Sequence, residues 1–174
     1  MPRGALTDIL AHDLRILLVA INPAPPSLAS GYHFATPTNG FWKLMFESGL
    51  TPRLYRPFEA SCLLSDGIGL TSLVSRATRT AAELTLGERR EGVVALAKTV
   101  ERWKPRTIAL LGLTLFPVLF PDAEDPGPGL KKVAFGNASV FVLPNPSGRN
   151  RAYPGVRGKL PWYQNLAKTF PRES

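Results

Sequence analysis

The sequence predicts an α/β protein of three layers, a short and mostly parallel central sheet flanked by helices. Short β-branched apolar runs recur along the chain, amphipathic stretches of helical period alternate with them, and turn residues bound both kinds. Such alternation implies right-handed strand–helix–strand crossovers, hence parallel neighbours in the sheet.

The first run, Arg15-Ile-Leu-Leu-Val-Ala-Ile21, is stopped by Pro23. It is too short for most helices and apolar at successive positions, the pattern of a strand buried on both faces. Asn22 to Phe41 shows no period and is expected as a long irregular loop, a length that in compact domains usually serves function or is disordered. Phe41 to Ser48 reads as a helix, with Gly49 as its stop signal. Gly67-Ile-Gly-Leu-Thr71 lacks the spacing of a dinucleotide-binding turn and is expected in a loop.

The clearest helix runs from about Gly87 to Lys104. Thr85 and Glu88 form its capping box, Val93, Leu96, Ala97, Val100 and Trp103 its apolar stripe, and Pro105 its end. Thr107-Ile-Ala-Leu-Leu111 is a second buried strand, ended by Gly112, and Asp122 to Gly129 is an acidic surface loop. Lys132–Phe135 and Ser139–Leu143 make a hairpin about Gly136-Asn137. A final helix is expected from Pro161 to Thr169. No linker or repeat divides the 174 residues, so one domain is expected over 1–174, with its core at about 15–170.

Composition narrows the function. The net charge of +8 and a pI near 10.1 favour a polyanionic partner. The excess is concentrated late: Arg149, Arg151, Arg157, Lys159, Lys168 and Arg172 are opposed there only by Glu173. No apolar run of membrane-spanning length occurs, and Met1-Pro2-Arg3-Gly4-Ala5 lacks the apolar core of a secretory signal. With a single cysteine, Cys62, the expected setting is the reducing cytoplasm. His12, His33 and Cys62 are too few for a closed zinc site, a deaminase centre or an iron–sulfur cluster. A phosphate-binding lysine loop and a G-x-S-x-G nucleophile elbow are also absent from the sequence.

In open α/β sheets the ligand crevice lies beyond the carboxyl ends of the strands. Two predicted strands end there in matching turns, Asn22-Pro23-Ala24-Pro25-Pro26 and Pro144-Asn145-Pro146-Ser147-Gly148. Parallel strands would bring both to one cleft. The long loop between the first of these turns and the helix at Phe41 mixes aromatic and hydrogen-bonding side chains, as needed to stack and read a planar base.

Four ordered stretches then identify a resemblance. Ala20-Ile-Asn-Pro-Ala24, Tyr32-His-Phe-Ala-Thr-Pro-Thr-Asn-Gly-Phe-Trp-Lys43, Gly67-Ile-Gly-Leu-Thr-Ser-Leu-Val74 and Asn145-Pro-Ser-Gly-Arg-Asn-Arg151 resemble the mismatch-specific uracil-DNA and thymine-DNA glycosylases, over about residues 15 to 170. The resemblance implies a uracil-DNA-glycosylase-like fold. It also implies a monofunctional enzyme that flips uracil, or another unwanted pyrimidine, from mismatched duplex DNA and hydrolyses its N-glycosidic bond. Asn22 would hold the attacking water. Ile21 and Ser27 would contact the base, Phe34 would stack on it, and Asn39 lies in the same matching stretch. Asn145, Ser147, Gly148, Arg149 and Arg151 would bind DNA and wedge the gap. The expected partner is double-stranded DNA; one domain with one DNA footprint makes a monomer the simplest expectation, and the reaction implied needs no metal and no organic cofactor.

The sequence departs from the family's pattern at Ala20 and Ala24, where glycines are usual, and at Arg149, where bacterial relatives often carry leucine. Asp66, just before the third stretch, is expected on the same edge of the sheet as a second base for the water. A non-catalytic nucleic-acid-binding module and an enzyme of free nucleosides are the competing readings.

Overall fold

In the computed structural model, which describes residues 6–173, one sheet is built from five strands. They are β1 (Ile16–Ala20), β2 (Ile68–Ser72), β3 (Thr107–Leu111), β4 (Gly129–Phe135) and β5 (Ala138–Leu143). Their spatial order is β2-β1-β3-β5-β4. The first four run parallel, and β4 returns antiparallel along one edge. Met1–Ala5, on which part of the cytoplasmic expectation rests, lies outside the described residues.

The period-2 pattern of the strands divides the interior in two. Ile16, Leu18, Ala109, Leu111, Phe141 and Leu143 face a layer containing α2 (Phe41–Glu47) and α5 (Leu160–Thr169). Leu17, Val19, Ile108, Leu110, Val140 and Val142 face α3 (Leu86–Trp103) and α4 (Leu115–Leu119). Both faces are therefore covered, which is why β1, β3 and β5 are apolar without alternation. The predicted strands, the hairpin and the three long helices all form within a residue or three of the expected ends. Thr85 caps α3 as its sequence foretells: its hydroxyl accepts from the Glu88 N–H at 3.1 Å, and the Glu88 carboxylate accepts from the Thr85 N–H at 2.7 Å.

Three expectations need correction. The stretch after Asn22 is not wholly irregular, since Pro25–Ser30 form the short helix α1, with prolines in its first turn and Gly31 at φ 77° closing it. Strand β4 begins at Gly129 rather than Lys132, so the acidic loop is shorter; buried Lys131 ties it back through the Asp125 carbonyl at 2.8 Å. Ile68–Thr71 are no loop but the start of an edge strand, and Gly67, at φ 72°, closes the turn before it. Residues 9 and 14 press on it so closely that a Cβ at Gly69 would lie 2.6 Å from the Ile9 carbonyl oxygen and 2.4 Å from a Leu14 methyl.

Candidate active site

Because β1, β3 and β5 are parallel, the loops leaving β1 and β5 emerge at one edge of the sheet, one strand apart. A cavity of about 310 Å³ opens there, and Asn22, Phe34, Asn39, Asn145, Ser147 and Arg149 all line it. Ile21 and Ser27 complete the base-contacting set expected from the sequence. Ala20 and Ala24 stand in the same wall.

Asn22 is held in one orientation. Its Nδ2 donates to the Arg76 carbonyl at 3.0 Å and to Thr78 Oγ1 at 2.6 Å. The Thr78 hydroxyl gives its own hydrogen to the Thr80 carbonyl at 2.7 Å, so toward Asn22 it can only accept. Both Nδ2 hydrogens are therefore engaged, and among the described residues Oδ1 accepts nothing. The cavity thus receives a fixed acceptor, suited to hold a water by one of its hydrogens.

Two other amides are fixed with the opposite polarity. Asn39 Oδ1 accepts from the Phe41 N–H at 2.9 Å at the start of α2, and Asn145 Oδ1 accepts from the Ser147 N–H at 2.8 Å. In each, among the described residues, the Nδ2 hydrogens have no partner and remain for a ligand. Two donors and one acceptor on preset supports suit a neutral heterocycle that gains negative charge during reaction. Phe34 supplies the flat wall. Its ring is stacked on Phe41, with centroids 4.0 Å apart, and its backbone sits at φ 51°. A bulky non-glycine residue in the left-handed region is strained, and such strain gathers at functional sites. Phe34 is therefore both an anchor of the loop to the core and a lining residue.

Buried Ser27 faces inward from α1, and its hydroxyl accepts from the Ala35 N–H at 3.2 Å, folding the loop back on itself. The Ile21 carbonyl accepts from the Val74 N–H at 2.9 Å, which ties the turn after β1 to the strand beside it.

The two halves of the site are clasped. The Gly40 N–H donates to the Pro146 carbonyl at 3.0 Å. A Cβ on Gly148 would lie 2.6 Å from the Thr38 carbonyl oxygen. Gly148→Ala is expected to force these loops apart and to lower the rate of whatever reaction the cavity carries by about ten-fold, with Tm lowered by no more than about 3 °C. Single-turnover rates beside a melting curve check this; an unchanged rate would show that the clasp is dispensable.

Arg149 is exposed on the rim, between this cavity and a neighbouring hollow lined by Thr114 and Tyr153. Arg151 is exposed on the same loop but lines neither. Lys159, counted in the late basic excess that favours a polyanionic partner, does not belong to this surface: it is 2% exposed and donates to the Gly155 carbonyl at 2.9 Å. Burial holds its pKa below the ordinary lysine range.

Asp66 is likewise misplaced by the sequence reading. It precedes β2, whereas the cavity lies past the far end of that strand, beside Ser72. Four strand steps of about 3.3 Å separate the ends by roughly 13 Å. Asp66 instead accepts from the Tyr55 hydroxyl at 2.7 Å and pairs with Arg172, in a buried structural cluster. The second-base expectation fails on topology.

The sequence reading also missed residues of the cavity. Thr78, Arg79 and Thr80 line it together with the Asn145 loop, and so does His33, held by a 2.8 Å hydrogen bond between Nε2 and the Thr7 carbonyl. The only signal for the first group was a polar run directly after a matched motif. The family model of the Uracil DNA glycosylase superfamily matches residues 7–167.

Proposed function

The chain belongs to the Uracil DNA glycosylase superfamily, and from that membership we propose a monofunctional glycosylase that removes uracil from mismatched double-stranded DNA. The fixed polarity of the Asn22 amide carries this reading. A mismatched base pair costs least to open, by a few kcal/mol in general, and the flipped pyrimidine stacks on Phe34. Asn39 and Asn145 donate to its polar edge. Water held at Asn22 Oδ1 adds to C1′ of the sugar, the bonding pair of the N-glycosidic bond leaves with the base as its anion, and the water's second proton passes to solvent. Asparagine takes up no proton at neutral pH, so Asn22 orients the water rather than deprotonating it. No step draws on a metal or an organic cofactor.

End-labelled duplexes carrying one G·U pair, treated with the protein and then with alkali, test the proposal. Alkali-dependent cleavage at the uracil is expected, and parallel A·U, G·T and single-stranded substrates grade the preference. Tight, salt-sensitive binding without cleavage at any of them would favour a binding module.

Arg149 fits the wedge that occupies the vacated stack. Arg149→Ala is expected to slow duplex substrates by roughly ten-fold and single-stranded uracil by less than about three-fold, because only the duplex has a gap to fill. Equal losses on both would remove the wedge assignment.

A further inference from the structure

We propose that the Arg76–Glu88 ion pair is a positioning device for Asn22, fastening the amide of the site to the first turn of α3. The inference rests on the glycosylase reading for its rate measurement, though not for its structural one.

Asn22 is oriented by a loop, not by a strand. The loop leaves β2, supplies the Arg76 carbonyl and the Thr78 hydroxyl to Nδ2, and returns through the Thr78 N–H to the Pro23 carbonyl at 3.3 Å. A loop holds an atom only as well as it is itself held. Here the fastening is the Arg76 side chain. Its Nε donates to Glu88 Oε1 at 2.7 Å and its Nη2 to Oε2 at 3.1 Å, a fork-to-fork pair, and Nη2 also reaches the Glu83 carbonyl at 3.1 Å.

Glu88 is itself fixed, because the oxygen facing Nη2 also accepts from the Thr85 N–H at the start of α3. That helix is eighteen residues long and buries Leu96 and Val100 against the sheet. An unbroken series of contacts therefore runs from a packed helix through Glu88 and Arg76 to Nδ2 of Asn22. The Arg76 guanidinium, and then the Thr85 N–H, hold the Glu88 carboxyl down at about 2, so the pair is charged at neutral pH.

Energetics favours positioning over stability. The side chains are 52% and 27% exposed, and ion pairs so exposed contribute little to folding. A bidentate pair with an added carbonyl contact nevertheless fixes direction well. Its loss should appear in the rate and in the Asn22 amide, not in the melting curve.

The experiment compares wild type, Arg76→Ala, Arg76→Lys and Glu88→Gln. Each is measured for single-turnover release from a G·U duplex, affinity for an abasic duplex, Tm and the side-chain amide resonances of Asn22. Arg76→Ala is expected to slow release by about ten-fold at nearly unchanged Tm, and to speed solvent exchange of the Asn22 Nδ2 hydrogens. Arg76→Lys should recover part of the rate, keeping the charge but not the fork.

Glu88→Gln keeps an acceptor for the Thr85 N–H and removes a negative charge, so it should bind DNA as tightly as wild type or more tightly, yet release base more slowly. That opposition separates positioning from phosphate binding, and it stands even if Arg76→Ala fails to fold. Wild-type rates in both Arg76→Ala and Glu88→Gln, or Asn22 resonances untouched by either, would overturn the proposal. Absence of base release by wild type would sink the glycosylase reading alone, since the amide exchange measurement still tests the clamp.

Discussion

Asn22→Ala is expected to lower single-turnover release of uracil by about 10²–10³-fold while duplex affinity stays within about three-fold. Alanine removes the acceptor that holds the water and leaves Phe34, Asn39, Asn145 and Arg149 untouched, so binding and extrusion should persist. It also leaves the Arg76 carbonyl and the Thr78 hydroxyl without their donor. Aspartate at this position should not restore the rate: its carboxylate would set an oxygen against the Arg76 carbonyl, where Asn22 now donates at 3.0 Å. Rate and affinity measured on one G·U duplex decide the matter. A variant that keeps more than about a tenth of the wild-type rate would move water positioning away from Asn22.

Asp66→Ala should have the reverse profile, a large loss of stability and no loss of chemistry. The residue is 6% exposed, and alanine would strand the Tyr55 hydroxyl and release Arg172. Burial and then the neighbouring Asp66 carboxylate push that hydroxyl up to about 12, so it stays a donor throughout the neutral range. Arg172 is partly solvated, which lowers the cost from that of a fully buried pair to about 2 kcal/mol, or roughly 4–8 °C in Tm for a domain of this size. Activity per folded molecule should stay within about two-fold. A deep loss of rate in a fully folded Asp66→Ala protein would show that the two ends of β2 are functionally linked.

The legible parts of the fold were those written in local pattern. Strands β1, β3 and β5 could be read from apolar runs because both faces of the sheet are covered, and α3 from its stripe and the Thr85–Glu88 cap. Strand β2 was missed because Gly67 and Gly69 resemble loop residues, and the reason for Gly69 is the approach of Ile9 and Leu14 from elsewhere. The Asp66 error follows from that omission: without a strand and its direction, a residue beside a motif cannot be assigned to an edge. Asn22, Phe34, Asn39 and Asn145 were found through motif likeness and do line one cavity. Thr78 and Arg76 were not found, since a threonine and an arginine in a polar run acquire meaning only from an amide more than fifty positions earlier.

The order of strands also governs how the molecule is assembled. Hairpin β4–β5 joins near neighbours in the chain, whereas the parallel pairings bring Leu17 to Ile108, Ile16 to Ile68 and Thr107 to Ser139. Such distant closures lose much chain entropy before contacts return it, and they form slowly. The cavity exists only when β1, β3 and β5 lie side by side, so a nascent chain has no site until its last long-range pairing is made. Until then the residues that line the cavity are scattered along an unfinished sheet.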